Sequence, residues 1–209
     1  MLIAMDGPAA SGKGTLAKML AEHYGLAHLD TGSLYRAVAR DVIVAGDSLD
    51  DENAAVHAAQ ALDTGTLNDP GLRTPEVGQA AAKVAKIGAV REALHRLQRA
   101  FASKPEGAII EGRDIGTVVC PEADVKLFVE ASTRVRAERR YKELLEAGHG
   151  ISYDEIHAQI AARDEADRSR KISPLKPAQD ALLLDTSDLG IEAAFEAAIK
   201  LIDTALLPR

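Results

Sequence analysis

Gly7-Pro8-Ala9-Ala10-Ser11-Gly12-Lys13-Gly14-Thr15 puts an ammonium, hydroxyls and three glycines on one short segment. That set suits an anion held mainly by backbone. The segment follows the apolar run Leu2-Ile3-Ala4-Met5 and opens into Leu16 to Tyr24. Strand, glycine loop and helix, in that order, are the context a phosphate-binding loop requires. Gly7 and Gly12 let the chain curl so that several N–H groups converge on one point. The following helix aims its positive end at the same point. Lys13 adds a mobile full charge for the β- and γ-phosphates. Residues 7–15 are therefore expected to hold a nucleoside triphosphate.

Gly14 stands where a hydroxyl usually follows the lysine, and the hydroxyl comes one residue later, at Thr15. Small nucleotide kinases typically carry this Gly-Lys-Gly-Thr form, whereas most GTPases and motor ATPases do not. Thr15 is the candidate ligand for Mg²⁺, with a water as the alternative.

Three further clusters carry chemistry. Asp30-Thr31-Gly32-Ser33-Leu34-Tyr35-Arg36 follows the second apolar run and starts a helix. Thr31 and Ser33 read as helix caps, and Arg36 either faces solvent or meets an anion. Glu111-Gly112-Arg113-Asp114-Ile115-Gly116-Thr117 follows the third run. Adjacent opposite charges on an extended loop point apart, so Arg113 is free to grip a phosphate while Asp114 accepts from a base or sugar; a plain surface turn is the alternative. In Arg163-Asp164-Glu165-Ala166-Asp167-Arg168-Ser169-Arg170-Lys171, Arg163, Asp167 and Arg170 fall at i, i+4 and i+7, one face of a helix. A solvated salt-bridge ladder looks similar. The planar guanidinium fork, however, suits phosphate oxygens. Arg134, Arg136, Arg139 and Arg140 precede this cluster and are candidates for the triphosphate side.

The elements that must position these groups are short. Apolar segments at 2–5, 26–29, 108–110, 125–129 and 181–184 read as strands, with Asp6, Asp30 and Asp185 following three of them. Helices are expected at 15–24, 33–45, 90–101, 133–147 and 189–206, with a further alanine-rich helix at 80–85. This alternation predicts an α/β fold, a parallel sheet covered on both faces, with ligands at the carboxyl ends of the strands. Two polar regions, 46–75 and 148–176, offer little apolar surface to bury and read as satellites able to move over the nucleotide site. Thr74-Pro75 looks like a helix start.

Composition excludes several classes. At 209 residues, with 46% apolar, 27% charged and 3% aromatic residues, one aliphatic, alanine-rich core is expected. The net charge of −7 argues against nucleic acid or an anionic membrane as a partner. Cys120 is the single cysteine, so no internal disulfide forms, and a turn explains it better than nucleophilic chemistry. None of the six histidines has zinc-type spacing. No run approaches about 18 apolar residues, and the chain opens on a strand, so an unprocessed cytoplasmic protein is expected.

These motifs occur in a recognisable order, joined by Arg73-Thr74-Pro75-Glu76-Val77 and Val90-Arg91-Glu92-Ala93-Leu94. The chain resembles the bacterial cytidylate kinases over almost its full length. The resemblance implies a P-loop NTPase fold with a five-stranded parallel sheet, and transfer from ATP, with Mg²⁺, to CMP or dCMP by a monomer. It implies a core at 1–45, 104–147 and 178–209, a nucleoside-monophosphate-binding region at about 46–103, and a lid at about 148–177. By motif position, Lys13, Arg113 and Arg170 would be catalytic, and Arg36, Arg113 and Arg170 would clamp the acceptor phosphate. Arg91 and Asp114 would read the cytosine edge; Thr31, Arg163 and Asp167 would meet the sugar. Ala82 stands where relatives often have serine, Thr31 replaces a frequent serine, Ala166 a charged residue, and Glu111 a shorter acid. The 46–75 region is shorter than in some members. These departures bear on base selectivity more than on the reaction. Adenylate, shikimate or gluconate kinases share the loop but give no reason for Asp114 beside Arg113. A nucleotide-dependent switch would normally show Asn-Lys-x-Asp and a hydroxyl directly after Lys13; neither occurs.

Overall fold

Leu2–Asp6 forms β1, the central strand, and its residues Ile3, Ala4 and Met5 are wholly buried. A strand covered on both faces has no reason to alternate, hence the continuous apolar run. The computed structural model describes residues 1–148 and 150–207; His149 of the Gly148-His149-Gly150 turn, Pro208 and Arg209 lie outside the described residues. Ala27–Asp30 (β2), Ala108–Gly112 (β3), Val125–Glu130 (β4) and Leu182–Asp185 (β5) complete a five-stranded sheet in the order β2-β3-β1-β4-β5. β1 pairs in parallel with β3 on one side and β4 on the other, and β4 with β5. The strand order reverses about β1, which is where such sheets bind ligands.

The chain forms two compact units: Met1–His28 with Lys104–Arg209, and Leu29–Ser103. In the first, α1 (Lys13–Tyr24) and α8 (Ile191–Leu206) cover one sheet face. Leu16, Leu20, Ile109, Leu127 and Ile202 are among the large side chains of that core. Truncating one of them to alanine costs about 2–5 kcal/mol. α1 stops at Gly25, whose left-handed conformation (φ 65°) lets Leu26 N–H return to Ala21 O at 2.8 Å. α6 (Thr133–Glu146) and α7 (Tyr153–Arg168) pair beside the sheet. A capping box, Ser152 with Glu155, starts α7.

The second unit contains α2 (Thr31–Val44), α3 (Glu52–Gln60), α4 (Pro75–Val84) and α5 (Gly88–Ala102). α2 packs on α3 and α4, and α3 on α5. This is why α2, read from sequence as part of the core, groups with the insert. Two expectations are corrected. The 46–75 region contains a helix, α3, capped by Asp51 and burying Ala55 and Ala59, and Leu72 is buried beyond it. In the 148–176 region, Ile156 and Ile160 of α7 pack on Ala137 and Leu144 of α6. The charged helix expected in the 148–176 region is α7; what sparse or alanine-rich apolar positions conceal is the narrow buried stripe that each helix contributes.

Candidate active site

The loop from Gly7 to Gly12 is shaped by close backbone approach. A Cβ at Gly7 would lie 2.0 Å from Val129 O of β4, so only glycine fits there. Ala10 (φ 59°) and Gly12 (φ 85°) are both left-handed, which turns successive N–H groups inward as an anion nest. For Ala10 that conformation costs about 1–2 kcal/mol, strain of the kind found where backbone serves a ligand. Lys13 opens α1, is 9% exposed, and folds its Nζ to within 3.4 Å of Pro8 O. The loop's outer carbonyls are tied down as well. Thr186 Oγ1 donates to Ser11 O at 3.0 Å, and Arg139 donates to Thr186 O at 2.7 Å and to Ser11 O at 3.4 Å.

Glu111 and Gly112 end β3, whose register pairs Asp6 with Gly112. The buried Glu111 carboxylate takes a 3.0 Å contact from His28 Nε2 and lies over Gly14. A Cβ at residue 14 would meet its oxygens at 3.3 and 3.4 Å, so a larger residue after Lys13 would have to displace the carboxylate by a few tenths of an ångström. After Gly112 the chain makes one wide turn over Ile115–Val119, in which Val119 N–H reaches Asp114 O and Cys120 N–H reaches Ile115 O. Asp6 receives Ile115 N–H at 2.8 Å and Gly116 N–H at 2.7 Å, one on each carboxylate oxygen. Burial pushes its carboxyl up to about 6, aided by the charge of Asp114 and opposed by the two N–H bonds and Arg113.

On the α7 side, Asp167 gathers the arginines. Arg113 Nε donates to it at 3.0 Å and Arg170 Nη2 donates to its other oxygen. Burial raises the Asp167 carboxyl, but Arg113, Arg163 and Arg170 together outweigh that and hold it below the ordinary value. α7 ends at Arg168, so Arg170 is not the third member of a helical ladder. It reaches Asp167 from just beyond the helix end. Asp164, one turn before Asp167 on α7, is buried against Arg136 of α6. Arg136 is 2% exposed and satisfies all its donors: Nε to Ala131 O, Nη1 to Ala9 O and Asp164, Nη2 to Thr133 and Asp164. It is a structural brace and not a triphosphate ligand. Arg134 and Arg140 form helix-surface pairs with Glu138 and Glu143.

In the second unit the cap of α2 is Asp30, not Thr31 or Ser33: its Oδ1 receives Gly32 N–H at 2.8 Å. Its other oxygen lies 3.5 Å from Arg36 Nη1. Thr31 is 4% exposed within the first turn. Arg91 of α5 lies over the Tyr35 ring, 5.8 Å from its centroid, and reaches Ala85 O at 3.4 Å. Ala82 lies on α4.

A family model described as cytidylate kinase matches residues 3–204. The chain belongs to the cytidylate kinase family. It is 57% identical to a cytidylate kinase of Azorhizobium caulinodans, covering 98% of this chain and 99% of that one. A cytidylate kinase of Xanthobacter autotrophicus is 56% identical (97% of each chain) and one of Brucella suis 55% (98% of this chain, 94% of that one). The fold also matches an uncharacterized protein from Eubacterium ventriosum (TM-score 0.57, 16% identity, 98% of each chain). TT1252 from Thermus thermophilus gives a TM-score of 0.50 at 21% identity, over 100% of this chain and 98% of that one. The architecture is that of a P-loop NTPase.

Within this cytidylate kinase fold, the first unit brings Arg113, Asp167 and Arg170 together. Arg163 contributes its charge to that group, and Asp114 sits at the head of the wide turn. Tyr35, Asp30, Asp6, Asp164 and Arg136 are the polar partners that the motif reading did not single out for these roles. A buried acid directly before the glycine loop was the available signal for Asp6. Nothing local marked Asp164 as the partner of Arg136. The residues also fit a magnesium ion. Mg²⁺ is usually carried by substrate phosphates and water with one or two protein oxygens. Thr15 offers an exposed hydroxyl on the first turn of α1. Among the described residues no group of three or more His, Cys, Asp or Glu is placed to hold a metal alone. Nor, among them, is any helix long and apolar enough to cross a membrane.

Proposed function

We propose that the protein transfers the γ-phosphoryl group of ATP to CMP or dCMP, giving ADP and CDP or dCDP. The observation that carries the reading is the pairing of β1 with β3. It sets the glycine loop and Gly112-Arg113-Asp114 at the carboxyl ends of neighbouring strands. Residues 7–15 would hold the triphosphate. Arg36, Arg113 and Arg170 would clamp the acceptor phosphate; Arg91 and Asp114 would read the cytosine edge, Asp114 accepting from its exocyclic amine; Thr31, Arg163 and Asp167 would meet the sugar. A cytoplasmic monomer without nucleic-acid or membrane partners accords with the net charge of −7.

The acceptor phosphate is largely a dianion at neutral pH, its second pKa being about 6, so no general base is needed. The chain's own task is to hold two polyanions in line and to stabilise charge on the travelling group. The loop amides and Lys13 do this on the donor side, Arg113 and Arg170 on the acceptor side. When bound, Mg²⁺, with Thr15 as its candidate protein ligand, adds positive charge on the donor phosphates. A coupled ADP-release assay against CMP, dCMP, UMP, AMP and shikimate tests the assignment. Turnover with CMP and dCMP well above the others is expected. ADP release that ignores CMP but responds to AMP or shikimate would overturn it.

A further inference from the structure

We propose that Asp6 is a positioning residue that locks the Arg113–Asp114 loop to the root of the phosphate-binding loop. The inference rests on the kinase reading above and adds a residue that reading does not use. Asp6 is the last residue of β1 and is bonded directly to Gly7. Its two oxygens take the N–H groups of two successive residues, Ile115 and Gly116. Those N–H groups open the wide turn, where no earlier carbonyl within it can receive them. Ile115 is 1% exposed and Gly116 is buried, so water does not serve them either. An acceptor-only group with two oxygens meets both needs at once; an amide presents N–H to one of them, and a hydroxyl reaches only one.

The position matters as much as the bonds. Arg113 and Asp114 immediately precede Ile115, and Gly7 immediately follows Asp6. One side chain thereby fixes the start of the donor loop relative to the loop that carries the acceptor-side charges. A Cβ at Gly116 would meet Lys126 Cδ at 3.1 Å and Asp6 Oδ2 at 3.5 Å. The charges that act on Asp6 are Asp114 and Arg113, just before the turn; Lys126 on β4 packs against Gly116. The Lys126 ammonium is engaged by Asp180 at 2.8 and 2.9 Å. Burial and Asp114 lift the Asp6 carboxyl to about 6, so mild acid converts one oxygen into a donor facing an N–H and releases half of the clamp.

Asp6→Asn, assayed at pH 7.5, should raise the KM for CMP by about tenfold or more while changing the KM for ATP by no more than about twofold, as expected for one charge-assisted bond lost on the acceptor side. A lower kcat with both KM values unchanged is what a smaller folded fraction produces, and it would overturn the proposal. An equal rise in both KM values would do the same. A second measurement needs no variant and no catalysis. In the wild-type protein the amide protons of Ile115 and Gly116 should titrate together with a midpoint near 6. Amides that stay flat from pH 3 to 8 would refute the clamp. Failure of the wild-type enzyme to use CMP would sink the kinase reading while leaving this titration to decide the role of Asp6.

Discussion

In the function proposed above, the glycine loop and the arginine cluster around Asp167 would both serve phosphate, and they are built by opposite means. In the loop, the backbone is the ligand. Ala10 and Gly12 sit in left-handed conformations, Gly7 presses against Val129 O, and the only full charge is Lys13. Around Asp167, side chains are the candidate ligands, and a carboxylate already bridges Arg113 and Arg170. Backbone donors are fixed by folding and need no counter-ion. Guanidinium groups left together would repel one another, and the Asp167 carboxylate between them offsets that repulsion. The lesson is that rigidity at one end comes from sterics and at the other from neutralised charge.

That contrast can be broken from either end. Lys13→Ala removes the one mobile charge of the loop, and turnover with CMP should fall by about 10²–10³-fold with the circular dichroism spectrum unchanged. Turnover equal to wild type in an ADP-release assay would show that the loop does not face the transferred group. The next effect concerns stability. Arg136→Met strands Asp164 as a buried unpaired charge, which should cost about 3–5 kcal/mol in denaturant unfolding. The double variant Arg136→Met/Asp164→Leu should recover most of that loss. If the single and double variants unfold alike, the brace between α6, α7 and the Ala9 carbonyl is not what holds α7. Arg170→Ala should come third, lowering turnover by well over tenfold as a charged acceptor-side contact is lost. An unchanged rate would remove Arg170 from the site.

The same contrast explains what could be read from the sequence. Backbone sites are local. Strand, glycine loop and helix lie within residues 2–24, and all five strands fall within two residues of their apolar runs, with Asp6, Asp30 and Asp185 ending three of them. Side-chain sites depend on partners far along the chain. Arg113 and Asp167 are 54 residues apart, and Arg136 and Asp164 are 28 apart. The basic stretch at 134–140 therefore looked like one phosphate-binding face, whereas Arg136 is a buried brace and Arg139 ties Ser11 to Thr186. Helix α3 escaped notice because its buried residues are alanines in a polar stretch. The cap is Asp30 and not Thr31 or Ser33, because all three are competent caps and only the backbone turn decides among them.

The smallest expected effect separates the two regions by the sign of their response to pH. Asp6, at the root of the loop, has its carboxyl raised from 3.8 to about 6 by burial. The folded chain then binds more protons than the unfolded one between those values. Its contribution to stability is complete below 3.8 and declines as pH rises through 6, with a slope no steeper than about 1.4 kcal/mol per pH unit. Asp167 behaves in the reverse sense. Its carboxyl is raised by burial but lowered further by Arg113, Arg163 and Arg170, so its contribution is present above 3.8 and disappears as pH falls through its lowered folded value. Urea unfolding of Asp6→Asn and Asp167→Asn, each subtracted from wild type, isolates the two terms. The Asp6 difference should vary between pH 4 and 6.5 and the Asp167 difference only below about 4. Identical pH dependence in the two differences would mean that the loop root and the arginine cluster share one electrostatic environment. The distinction between a sterically built and a charge-built phosphate site would then fail.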